Sequence, residues 1–260
     1  LVRKSNFETE NLTISPKKYD LLSHILLLNW ESCIRPLSNL QSLKVDLQNY
    51  RINSDCLVEL ATAMQHTSLT RFEIILNEYD DLEGFLEELP KNKKIKKFGF
   101  FKLGNTEKIC LENLGRTLTK MKTLEDISLQ LNSNNLKLTT DLGYLYRCLS
   151  KLPDLRALEF NQNIQGMNTI AWSYIIDYLG HFLAIENLTL IFNDCSGFDF
   201  EIAEGLLASL KRLMNLKHLR LDLLSKMELD DQEFEHFIEN LSLISNTNKF
   251  EFEINTHQNV

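Results

Sequence analysis

The stretch Leu124-Glu-Asp-Ile127-Ser-Leu129-Gln-Leu-Asn132 decides how the rest of the chain is read. It places aliphatic residues at its first, fourth and sixth positions and an asparagine at its ninth. The same spacing recurs on both sides of it. First positions fall at Thr9, Leu40, Leu69, Ile95, Leu124, Leu155, Ile185, Leu216 and Thr247, separated by 31, 29, 26, 29, 31, 30, 31 and 31 residues. The fourth position is apolar in all nine units (Leu12, Leu43, Phe72, Phe98, Ile127, Leu158, Leu188, Leu219, Phe250), and so is the sixth (Ile14, Val45, Ile74, Phe100, Leu129, Phe160, Leu190, Leu221, Phe252). At the chain's apolar content, eighteen such matches arise by chance roughly once in a few million trials. A repeat of this period is the signature of a stacked architecture.

Alternation over so short a run predicts a strand whose fourth and sixth side chains point to one face. The ninth position holds Asn77, Asn132, Asn163, Asn193 and Asn255 in five units, with Lys17, Gln48, Leu103 and Leu224 in the others. An inward-turned amide satisfies backbone groups that a turn after a strand leaves unpaired, so these asparagines are expected to form a structural ladder. Between the strands, apolar residues recur three or four apart: Leu57, Leu60, Ala61, Met64; Leu142, Leu145, Leu149, Leu152; Ala203, Leu206, Leu210, Leu213; Phe234, Phe237, Ile238, Leu241. That is helical spacing.

Each unit therefore reads as one strand and one helix, and the whole chain resembles the leucine-rich-repeat superfamily, nearest its ribonuclease-inhibitor-like branch. The resemblance implies an α/β solenoid, a horseshoe of about nine strand-helix units, with a parallel sheet on the concave face and helices on the convex face. Several spacings exceed that branch's usual one, and the aliphatic residue expected two places after the asparagine is absent at Tyr79, Asn134, Gln165, Cys195 and His257.

Composition narrows the function. The 260 residues are 43% hydrophobic and 25% charged, which excludes a disordered tail and predicts one ordered domain over residues 1–260. A formal net charge of −8 argues against nucleic acid as a partner. The longest apolar run, Ile25–Leu28, is too short to span a bilayer, so no membrane insertion is expected, and an intracellular, cytoplasmic protein is the simplest reading. Five cysteines without a CxxC pair suggest neither a disulfide framework nor a zinc site. Both ends lie close to a repeat and neither shows a polar cap, so a longer polypeptide or another subunit is expected to cover an end.

No chemistry stands out. The nine glycines form no phosphate-binding loop, the six histidines show no HExxH or metal spacing, and no GxSxG elbow is present. Acidic pairs at Asp80-Asp81 and Asp230-Asp231 fall where helices should start and are expected to cap them. The expectation is a non-enzyme without cofactor or metal, binding a protein partner within a larger assembly.

The third, fifth and seventh positions of each strand should face the partner. Among them Ile75 and Phe101 share the seventh position in adjacent units, an apolar spot rimmed by Lys44, Arg71, Glu73 and Lys97. These six residues are the candidate contact centre; the solenoid ends are the other candidate surface. The 26-residue spacing and Leu103 in the unit of Phe101 leave open a shifted register in which Phe101 is core. Two other functions stay open: a regulator of a small GTPase, of the GTPase-activating type, by fold analogy alone, and the receptor or sensor domain of a multidomain protein.

Overall fold

The computed structural model describes residues 10–15, 29–79, 81–103, 111–133, 138–164, 167–193, 196–223, 227–244 and 251–256. Strands and helices alternate along the chain: β1 (Asn11–Ile14), α1 (Trp30–Ile34), β2 (Ser42–Ile52), α2 (Ser54–Met64), β3 (Arg71–Tyr79), α3 (Glu83–Glu88), β4 (Lys97–Lys102), α4 (Leu111–Lys120), β5 (Asp126–Ser133), α5 (Leu138–Leu149), β6 (Ala157–Ile164), α6 (Thr169–Leu179), β7 (Asn187–Phe192), α7 (Phe200–Leu210), β8 (His218–Leu223), α8 (Asp231–Ser242) and β9 (Glu251–Thr256). The strands pair in parallel, in sequential order, within one sheet. Each helix packs on the next, giving one helical layer against one side of the sheet. This is an α/β arrangement compatible with a repeat solenoid.

The helices begin where the sequence supplies a side-chain acceptor. Asn53, Asn168 and Asp199 accept hydrogen bonds from the backbone N–H groups of Cys56, Ala171 and Ile202, and Asp230 forms a reciprocal capping box with Glu233 at α8. Asp81 accepts from the Glu83 N–H ahead of α3; Asp80 lies outside the described residues. The 26-residue unit is short because α3 has only six residues before a 3-10 turn containing Pro90.

Fourth- and sixth-position side chains from Leu43 to Leu221 are buried between sheet and helices. They meet the helical sets Leu57, Leu60, Ala61 and Met64 and their counterparts in α5 and α7. Aromatic rings fill the wider gaps. Trp172 packs on Phe192 and Phe198 with centroids 4.5 and 5.0 Å apart, and Phe198 meets Phe237 edge-on at 5.8 Å, linking α6, β7 and α8. Cys56 and Cys148 are buried free thiols and Cys33 is half-buried. No helix of the described residues is long and apolar enough to cross a membrane.

The third- to eighth-position registers follow the repeat from β2 to β8, as do the four paired residues of β1, with an irregularity between Leu47 and Arg51 where β2 runs on beyond its eighth position. They depart from it at β9. Leu219 pairs with Phe252 rather than Phe250, and Asn255 stands opposite Asp222 at the seventh position. Asn255 is therefore not a ninth-position ladder residue. Phe250, Phe252 and Ile254 share one parity, so a two-residue offset preserves alternation and apolar pattern cannot choose between the registers.

The ladder itself is partial. Asn132 Nδ2 donates to the Leu103 carbonyl at 2.8 Å, and Asn193 Nδ2 donates to the Gln162 carbonyl at 3.2 Å, each reaching back one unit. Asn77 and Asn163 make no such side-chain bond among the described residues. A third inward row, at the eighth position, was not anticipated: Leu47, Leu76, Leu131, Phe192 and Leu223 are buried there, but so are Lys102 and Gln162. The Lys102 ammonium donates to the Asn77 carbonyl. Gln162 Nε2 donates to the buried Tyr146 hydroxyl at 2.9 Å.

Candidate interaction site on the open sheet face

The alternation that buries the fourth and sixth side chains turns the third, fifth and seventh away from the helices, onto the open face of the sheet. In-register pairing then lays these positions out as rows across the strands. The fifth-position row runs Lys44, Glu73, Gly99, Ser128, Glu159. The third-position row runs Arg71, Lys97, Asp126, and the seventh-position row Ile75, Phe101, Gln130. All six residues of the predicted contact centre therefore stand on one face, within three neighbouring strands.

The open question about Phe101 is resolved by β4. Phe98 and Phe100 are the buried pair, Phe101 is half-buried on the open face, and Ile75 is its register partner. The short spacing removed residues from the helix, not from the strand. Gly99 explains how so large a ring lies down on the sheet: a Cβ there would sit 2.8 Å from both a Phe101 ring carbon and Glu73 Cγ. Only a residue without a side chain leaves that space.

Beside the ring is a hollow of about 180 Å³ lined by Arg71, Glu73, Lys97, Phe98, Gly99, Phe101, Asp126, Ser128 and Glu159. Its floor is low because Gly99 and Ser128 are adjacent in the fifth-position row. The charges around it are largely matched. Glu73 takes a hydrogen bond from Arg71 Nε at 2.9 Å and an ion pair from Lys44 Nζ at 3.4 Å, and Lys97 Nζ meets Asp126 Oδ2 at 3.1 Å. Ser128 Oγ donates to Glu159 Oε2 at 2.9 Å. Burial opposes ionisation of Glu73, but the Arg71 guanidinium and Lys44 ammonium outweigh it and hold the carboxyl below the ordinary carboxylate range.

The sequence pattern placed Asp126, Ser128 and Glu159 on this face without singling them out. Their signal was the register: once Gly99 is known to open a gap, its fifth-position neighbours become its walls. Paired carboxylates and cations thus surround an aromatic ring on this face. Among the described residues no group of three or more His, Cys, Asp or Glu side chains is arranged to hold a metal ion.

Neither a comparison with protein-family models nor one with curated proteins returns a match. Solved structures similar to the chain include the crystal structure of a protein from Bacteroides fragilis, a Northeast Structural Genomics Consortium target. It is 12% identical, covering 87% of this chain and 69% of that one, with a TM-score of 0.44.

Proposed function

We propose that the chain is a leucine-rich-repeat solenoid that acts as a non-catalytic recognition or scaffold subunit, holding a protein partner on the open sheet face around Phe101. The observation that carries this reading is the pairing of Ile75 and Phe101, half-exposed side by side, next to a hollow rimmed by matched charges. An apolar anchor inside a polar rim is the arrangement in which a few residues dominate binding energy. In this reading the stacked units curve into a horseshoe with the sheet inside. An intracellular setting, with other subunits around it, is part of the same proposal.

The test is crosslinked purification from the native source, comparing wild type with the double variant Ile75→Asp plus Phe101→Asp by mass spectrometry. Both side chains are outside the core, so the variant is expected to fold. A protein captured stoichiometrically by wild type and lost from the variant supports recognition here. A partner retained by both moves the interface to the helices or the ends of the stack.

A further inference from the structure

We infer that a second surface, the edge of the molecule where helices end and strands begin, docks on an anionic lipid surface. This edge is a continuous ladder. The backbone N–H groups of Lys96, Glu125, Arg156, Glu186 and Lys217 each donate to the carbonyl of the equivalent residue one unit earlier, beginning with Thr70. The turns just before the strands are tied together as well. Thr123 Oγ1 donates to the Lys93 carbonyl at 3.2 Å, and Asn215 Nδ2 donates to the Leu183 carbonyl at 2.7 Å. Parallel strands in register put these turns on one line, about 20 Å long over five units at the ordinary strand spacing.

Two residues before each first position, this line reads Lys93, Lys122, Pro153, Leu183, Met214. Leu183 is 66% exposed and Met214 73%, among the most exposed large apolar side chains described. Flanking them, Lys93, Lys120, Lys122, Lys151, Lys211 and Arg212 are all exposed and have no ion pair among the described residues. The edge's carboxylates are mostly engaged: Glu125 with Lys96, and Glu186 with Arg156 and Lys217. Among the described residues Asp154 in the turns, and Glu87 and Asp177 one helical turn further back, have no ion pair against those six cations. A chain of net charge −8 thus carries a straight edge of opposite sign.

Helix-end electrostatics accounts for the cations at the ends of α4, α5 and α7. It does not account for two exposed apolar side chains in successive turns between them. A bilayer surface offers what both features need, anionic headgroups for the cations and an acyl boundary for the apolar tips. A phosphodiester backbone or a purely acidic polypeptide such as polyglutamate matches only the first. The acidic helix starts, Asp55, Asp199 and Asp230, lie at the far end of the helices, about 15 Å away by helix rise and beyond a Debye length at physiological salt.

The test is cosedimentation of the whole chain with vesicles of phosphatidylcholine alone or with phosphatidylserine added. Lys93→Glu plus Lys122→Glu and, separately, Leu183→Ser plus Met214→Ser are the variants, with circular dichroism to verify folding. Binding to the anionic vesicles only, reduced by at least about 30-fold in the charge variant and several-fold in the apolar one, is expected. Equal affinity for both vesicle types, no binding to either, or binding that survives both variants overturns the proposal. Binding to polyglutamate without binding to vesicles overturns it in favour of an acidic protein partner. The Ile75 and Phe101 variant is expected to bind vesicles like wild type, so the two surfaces fail or succeed separately.

Discussion

At Gly99 the nearest neighbours of an added methyl group are two side chains on the open face, Glu73 at its Cγ and the Phe101 ring, rather than backbone. Gly99→Ala is therefore expected to change stability by less than about 1 kcal/mol, the relief of strand glycine entropy offsetting the displacement. It should nevertheless lift the Phe101 ring and reduce partner capture several-fold. Unchanged capture alongside an unchanged melting temperature would remove the hollow from the contact surface. Glu73 supplies a second test. Its carboxyl is held below the ordinary range in the folded chain, so its contribution is fully present above the unfolded pKa and is lost as pH falls through the folded value. Urea melts repeated from neutral to acid pH are expected to show that loss in wild type and a flatter acid limb in Glu73→Gln. Asn132 is the third. Its amide bonds the Leu103 carbonyl, so Asn132→Ala is expected to cost about 1–3 kcal/mol, whereas Asn163→Ala, at an exposed residue without that bond among the described residues, should cost far less. Denaturation midpoints of the two variants measure the difference.

Among the elements, α6 is joined to its neighbours through one large side chain. Trp172 is fully buried, packs against Phe192 at a tilt and Phe198 edge-on, and donates its indole N–H to the Ser196 carbonyl at 3.1 Å. Trp172→Ala is expected to cost about 3–5 kcal/mol, read from chemical denaturation. The legibility of elements followed the physics of their borders. Helices α2, α5, α7 and α8 were marked by apolar residues three and four apart, and α8 also by the Asp230 start. The third inward row escaped notice because Lys102 and Gln162 broke its apolar pattern. Both polar groups are buried in the structure through partners from other elements, Asn77 and Tyr146, which local sequence does not reveal.

Across the whole molecule each strand pairs only with its sequence neighbours. Stability in such a stack is close to a sum of unit and nearest-neighbour terms. Hydrogen exchange is expected to be slowest in β4 to β8, where strands have partners on both sides and large buried rings, and faster in β1, a four-residue strand at the edge. A single protection level throughout would show that the stack opens only as one unit.

The amino-acid sequence by itself determined the period, the alternation of strand and helix, and which face of each strand is buried, because burial acts on every unit through the same positions and repetition makes that signal additive. It also brought Lys44, Arg71, Glu73, Ile75, Lys97 and Phe101 to one face. Only the tertiary structure decided whether Phe101 lies in the core or on the open face, that Gly99 and Ser128 floor a hollow beside it, and that β9 pairs two residues out of step. Those outcomes depend on contacts between units about thirty residues apart, and strand parity is blind to a shift of two.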